Sequence, residues 1–182
     1  MTLIILAHPN FQQSVANKTI ITELADSGLD IEIRDLCRLY PHYDIDAGAE
    51  QAALLQHKAI VFQYPLYWYN MPAILKQWFD TVFEYQFAYG RNGDKLKDKL
   101  FIPSFTVGAP QSEYQPLGEH HFKIEEFCKN LAQTAYYTQM QYIEPVYFHG
   151  TSLNAGYTEN DIRQKAAQQA QRLIQLIKTL AE

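Results

Sequence analysis

Apolar residues along this chain fall into short runs separated by stretches of helical spacing. Leu3 to Leu6 is a run of strand type, and after Ser14 the positions Val15, Ile20, Ile21 and Leu24 fall near a helical period, so a strand and a helix open the chain. Asp30 to Leu36 alternates polar and apolar with period two, which predicts a strand near a sheet edge. Residues 37 to 47 read as loop and Gly48 to His57 as a short helix. Ala59 to Tyr64 is a nearly continuous apolar run, the pattern of a strand buried on both faces. From Pro72, the positions Ile74, Leu75, Trp78, Phe79, Val82 and Phe83 form a wide stripe along one helical face, and proline suits a first helical turn because its missing N–H has no partner there. Leu100 to Val107 predicts a fourth strand despite Pro103, Gly108 to Gly118 a long loop, and about Glu119 to Tyr136 a helix. Tyr142 to Phe148 predicts a fifth strand. Thr158 to Asp161 resembles a capping box and opens a last helix with Ile162, Ala166, Leu173, Ile174, Ile177 and Leu180 on its inner face.

Five strands alternating with helices imply an α/β fold with a parallel sheet, because each parallel crossover needs a helix and is right-handed. The expected order is 2-1-3-4-5, a doubly wound, flavodoxin-like sheet with helices on both faces. In that order the crevice opens between strands one and three, so the loops after Leu6, Tyr64 and Val107 converge. No repeat, low-complexity segment or linker divides residues 1–182, which read as a single domain of a size that buries roughly 70% of its unfolded surface.

Composition narrows the partners. A net charge of −5 without a Lys/Arg cluster argues against nucleic acid. No apolar run approaches the roughly 20 residues of a bilayer crossing. Cys37 and Cys128 have no CxxC spacing, and no basic leader opens the chain, which together suggest a reducing cytoplasm. The unusual quantity is aromatic content. With 13 Tyr, 10 Phe and 2 Trp, 14% of residues carry rings, many of them at loop and helix edges where they serve an interface or a flat ligand as well as a core.

The convergent loops hold the residues with chemistry. In the first, His8 stands at a strand's carboxyl end, and Ser14 precedes a helix whose first N–H groups at Val15, Ala16 and Asn17 suit a phosphate. Ser14 reads equally as a plain helix cap, and the segment is neither GxxxxGK[ST] nor GxGxxG. In the second, Pro65, Leu66, Tyr67, Trp68 and Tyr69 either cover a core or offer a shelf to a flat ring. In the third, Thr106, Val107, Gly108 and Ala109 supply backbone N–H groups, although the glycine suits a simple turn. Tyr114 and His120 follow, a pair able to donate protons to a bound ring. His120 and His121 do not make a metal site, because adjacent helical residues diverge by about 100° and no further ligand accompanies them. No GxSxG elbow points to hydrolase chemistry.

Several spaced motifs carry a resemblance that runs nearly end to end: Ala7-His8-Pro9, Ser14-x-x-Asn17, Leu39-Tyr40-Pro41 with Ile45-Asp46, Ala49-Glu50-Gln51, Pro65-Leu-x-Trp-Tyr69, Pro72-x-x-Leu75-Lys76-x-Trp78-x-Asp80 and Phe87-Ala-Tyr-Gly90. The chain resembles the flavodoxin-like NAD(P)H:quinone oxidoreductases, most closely their short bacterial branch, which includes ancillary proteins of glutathione-gated potassium-efflux systems. The resemblance implies a non-covalent flavin, FMN in preference to FAD, with its phosphate at His8 and Ser14 to Asn17 and its ring against Leu66 to Tyr69 and Thr106 to Ala109. It implies NAD(P)H as co-substrate, a quinone as acceptor, assistance from Tyr114 and His120, and a homodimer with flavin at the subunit interface. It also admits a regulatory subunit docked on an efflux transporter at the inner membrane. The third loop departs from the family's Thr-Thr-Gly-Gly, reading Thr106-Val107-Gly108-Ala109 before Pro110. A one-electron flavodoxin would carry a Thr/Ser-rich phosphate loop, which this chain lacks.

Overall fold

The structure is a computed structural model that describes residues 1–181. Its centre is a parallel sheet of β1 (Thr2–Leu6), β2 (Ile31–Asp35), β3 (Ala59–Pro65), β4 (Leu100–Val107) and β5 (Gln141–Tyr142), in the order β2-β1-β3-β4-β5. A sixth strand, β6 (Val146–His149), also pairs with β4 in parallel. The expected flavodoxin-like α/β sheet is therefore present, with its fifth position shared by two short strands.

Pro103 accounts for that division. The Lys99 and Phe101 carbonyls accept bonds from Gln141 and Ile143, and the Val107 carbonyl accepts from Gly150, so the odd residues of β4 turn their polar groups toward this edge. Pro103 shares that direction and has no N–H to give. Pairing ends at Phe101 with Tyr142 and resumes at Ser104 with Val146, and the chain passes Pro103 over Ile143 to Pro145.

Two apolar clusters cover the two faces of the sheet. On one side, Ile4, Val61 and Ile102 pack against α1 (Val15–Ala25) and α7 (Glu159–Ala181) through Ile20, Leu24, Ile162, Leu173 and Ile174. On the other, Phe62, Phe101 and Phe105 pack against α3 (Ala47–Gln56), α4 (Ala73–Val82) and α6 (Lys129–Tyr137), with Trp78 fully buried among them. Glu50, also fully buried, ties four segments together by accepting bonds from Arg34, Tyr40 and the Trp78 indole N–H. No helix among the described residues is long and apolar enough to cross a membrane.

Three boundaries differ from the sequence reading. Residues expected as loop contain a single helical turn, α2 (Leu36–Leu39), because the Asp35 carboxylate caps Arg38 N–H. Asp46 caps α3 in the same way, so that helix starts at Ala47, one residue before its expected start. The helix expected from Glu119 begins later, as α5 (Ile124–Phe127) followed by α6, because His121 takes a left-handed φ of 60° and Lys123 is extended. Cys128 donates its N–H to the carbonyl of Glu125, an i−3 bond that tightens the turn between the two helices.

Candidate active site

The carboxyl ends of β1, β3, β4 and β6 share one edge, and the loops that leave them form a crevice on either side of β3. The first loop leads into α1. Ser14 caps that helix, with Oγ accepting the N–H of Asn17 at 3.1 Å, which leaves the Val15 and Ala16 N–H groups without a protein partner among the described residues. Such groups at the positive end of an 11-residue helix attract an anion.

They open into a cavity of about 250 Å³ lined by His8, Asn10, Gln13, Ser14 to Asn17, Pro65, Tyr67, Thr106, Thr151, Leu153 and Ile162. No carboxylate lines it, and neither does any lysine or arginine. The cavity thus holds neutral donors and a helix terminus. His8 belongs to that set: its Nδ1 accepts the Asn10 N–H at 3.1 Å, which places its proton on Nε2. Burial pushes its pKa below the ordinary histidine value, so the ring is a neutral donor near pH 7.

The second loop is tighter than its sequence implies. Tyr67 and Asn70 exchange backbone bonds of 2.8 and 3.0 Å, closing a two-residue hairpin whose central residues, Trp68 and Tyr69, have φ of 48° and 63°. Two left-handed non-glycine residues in succession store strain, a feature that clusters at ligand sites. The hairpin separates the three aromatic side chains. Tyr67 packs edge-on to His8, with ring centroids 6.3 Å apart. Tyr69 stacks on Phe127 at 5.0 Å, and its hydroxyl lies 3.3 Å from His120 Nδ1. Trp68 is 91% exposed.

In the third loop the carbonyls turn back into the fold and the amides do not. Val107 O accepts from Gly150 and Thr151, and Gly108 O accepts from Ser152, whereas the N–H groups of Gly108 and Ala109 have no protein partner among the described residues. The departure at Ala109 therefore leaves the backbone donors in place. Leu66 N–H bonds to Thr106 O at 2.8 Å and joins this loop to the second.

Beyond it, Tyr114 stacks on His120 at 4.3 Å. The Glu113 carbonyl accepts the His120 N–H, and its carboxylate accepts the N–H of Glu119, which closes the segment between them. Gly118 passes so close to the Glu113 carbonyl that no Cβ fits there. Burial, with the Tyr69 phenol second, raises the Tyr114 pKa and keeps that hydroxyl a donor. Sequence reasoning missed His149. It ends β6, its ring lies 5.2 Å from Tyr114, and its Nδ1 is 3.2 Å from the Ala109 carbonyl. Its position at the carboxyl end of a strand, like that of His8, was the available signal.

The expected site residues thus lie along one edge, most of them in two groups. His8, Ser14 to Asn17, Pro65, Tyr67 and Thr106 line the cavity at the start of α1. Tyr69, Tyr114 and His120 form a ring cluster with Phe127 and His149. Leu66, Trp68, Val107, Gly108 and Ala109 belong to the segments around them. Residues 1–174 match a family described as having a flavodoxin-like fold. The chain belongs to that family.

It is 42% identical over 150 residues to the uncharacterised NAD(P)H oxidoreductase YrkL of Bacillus subtilis, covering 82% of this chain and 86% of that one. The ancillary protein KefF of the glutathione-regulated potassium-efflux system of Klebsiella aerogenes is 37% identical over 180 residues, covering 96% and 95%. Among solved structures, general stress protein 14 of Treponema denticola in complex with FMN superposes with a TM-score of 0.88 at 33% identity, covering 98% of each chain. An NADPH-quinone reductase of P. pentosaceus superposes with a TM-score of 0.79 at 28% identity, covering 96% and 97%.

Proposed function

We propose that this chain is an FMN-dependent NAD(P)H:quinone oxidoreductase. The observation that carries the proposal is the pairing, on one sheet edge, of an anion cavity built from neutral donors with a Tyr/His ring cluster. The fit to FMN rests on the donor set. Val15 and Ala16 N–H, His8 Nε2–H and the hydroxyls of Ser14 and Thr106 would hold its phosphate, and the free Gly108 and Ala109 N–H groups would face its ring. A cavity without carboxylates raises no repulsion against a dianion.

When bound, FMN supplies a two-electron carrier able to take hydride from a reduced nicotinamide and pass it on, so one site serves both substrates in ping-pong order. The chain's own residues orient and protonate. The Tyr114 hydroxyl and the His120 imidazole would donate to the oxygens of a quinone, and Tyr69, touching His120 and Phe127, would hold that histidine in place. The likeness to a protein named NADPH-quinone reductase supports this acceptor class. We take the protein to be cytoplasmic and homodimeric. Exposed Tyr85, Tyr136 and Tyr137, beside a cavity of about 490 Å³ lined by Met71, Phe79, Phe83 and Tyr89, support a second copy over α4 and α6.

The likeness to KefF supports a second reading, a regulatory subunit at a potassium-efflux transporter with flavin as a structural or sensing ligand. One experiment separates the two. Purified protein is titrated with FMN and FAD, then assayed for NADH and NADPH oxidation with and without a benzoquinone. FMN binding with quinone-dependent turnover is expected. Failure to bind flavin refutes both readings, and binding without quinone-dependent turnover leaves the regulatory one.

A further inference from the structure

Behind the anion cavity, polar side chains form a continuous line through the apolar sheet. Gln169 of α7 donates from Nε2 to Ser104 Oγ at 2.9 Å. Ser104 donates to Gln63 Oε1 at 2.6 Å, and Gln63 Nε2 donates to Asn17 Oδ1 at 2.8 Å. Asn17 Nδ2 then donates to both Ser14 Oγ and Thr106 Oγ1 at 3.2 Å. Gln169, Ser104 and Gln63 are fully buried and Asn17 is 1% exposed, so water does not substitute for any of these partners.

Every bond in the line points the same way. Ser104 has one proton and spends it on Gln63, and Asn17 directs its amide hydrogens at two hydroxyl oxygens. Ser14 and Thr106 are thereby occupied as acceptors, and neither hydroxyl donates to a protein group among the described residues. Both residues line the cavity, so both protons are left for an acceptor there. The opposite polarity has Asn17 Oδ1 accepting both hydroxyl protons, with each amide turned over back to Gln169. That arrangement strands both hydrogens of the Gln169 NH₂ in the core, whereas the observed one strands one of them and the Oε1. Buried orphan donors are rarer than under-used carbonyls, so the far end of the line selects its direction.

Resting on the reading of FMN as cofactor, we propose that Gln63, Ser104 and Gln169 are positioning residues that commit the Ser14 and Thr106 hydroxyls as donors to a phosphate dianion, and so set a preference for phosphorylated over unphosphorylated flavin. Packing alone offers no such role. Hydrogen bonds of this kind contribute little net stability, and a partly satisfied polar line in a core is no better than an apolar one.

The test compares FMN with riboflavin, which lacks the phosphate, by titrating the flavin-free wild type, Ser104→Ala and Gln169→Met. Both substitutions lie outside the cavity lining, and methionine fills the glutamine volume without polar atoms. The wild type should bind FMN more tightly than riboflavin. Each variant should lose about tenfold in FMN affinity, the scale of a charge-assisted bond misdirected, while riboflavin affinity stays within about twofold. A purely structural role would lower both affinities together, and that result overturns the proposal, as does an unchanged FMN preference. Should one variant fail to fold, the other decides, and collapse of both marks the line as structural and overturns the proposal. A wild type that binds neither flavin refutes the FMN reading itself, a different outcome from variants that keep the wild-type preference.

Discussion

Trp68→Gly should raise stability and lower flavin affinity at once. Trp68 sits in the left-handed region, with φ of 48°, as the first central residue of the Tyr67–Asn70 hairpin. A side chain there costs about 1–2 kcal/mol, which glycine removes. Against this, glycine adds about 0.4–1 kcal/mol of unfolded-chain entropy. The ring is 91% exposed, so its loss uncovers little apolar surface. The balance is a gain of about 0.5 kcal/mol, and a chain of this size shifts its midpoint by roughly 2–4 °C per kcal/mol, so the flavin-free variant should melt about 1–2 °C higher. If the indole is one wall of the flavin site, its loss should weaken FMN by about two- to tenfold, the worth of one aromatic contact. Calorimetric melting of the flavin-free protein and FMN titration read the two effects separately. A lower melting temperature would show that the ring packs structurally and that the hairpin is not strained. Unchanged FMN affinity would place the aromatic wall elsewhere.

Glu50→Ala should destabilise by about 3–5 kcal/mol in urea unfolding, because it leaves Arg34, Tyr40 and the Trp78 indole without their shared acceptor. A loss below 1 kcal/mol would mean that the junction relaxes without it. Tyr114→Phe should slow the quinone half-reaction about tenfold to a hundredfold while leaving nicotinamide oxidation and FMN affinity within about twofold, measured by stopped flow; equal slowing of both half-reactions would remove Tyr114 from the acceptor step. Stability should fall as pH drops below about 6.5. Burial lowers the pKa of His8 and of His149, so the unfolded chain takes up protons at both before the folded chain does, and the loss levels off once the folded rings protonate. Replacing both histidines with asparagine should flatten the melting-temperature profile in that window, and an unaltered slope would assign it to other groups.

Periodicity reports on the element that carries it, and where one element decides the outcome the sequence was legible. The apolar run at Ala59 to Tyr64 and the stripe from Ile74 to Val82 predicted β3 and α4 within a residue or two, and the strand order followed from the alternation of types. The parts that escaped depend on what a distant segment supplies. Pro103 was visible as a weak point in β4, yet its effect falls on a different strand, splitting the fifth into β5 and β6 across the missing donor. His121 and Lys123 look like helix residues, and the left-handed turn at His121 that delays α5 is fixed by the loop closing on Glu113. The candidate site divides along the same line. Ser14 and His8 announce a donor site locally, through a cap and a strand end. Gln63, in contrast, reads as one polar interruption in an apolar strand, and Ser104 and Gln169 as unremarked polar positions. Their partners lie 46, 41 and 65 residues apart, so only the assembled sheet turns four isolated polar side chains into one directed line. A buried polar residue in an otherwise apolar strand is therefore the sequence feature to follow to the carboxyl edge of such a sheet, because the core tolerates it only with a partner and that partner's other end must also be satisfied.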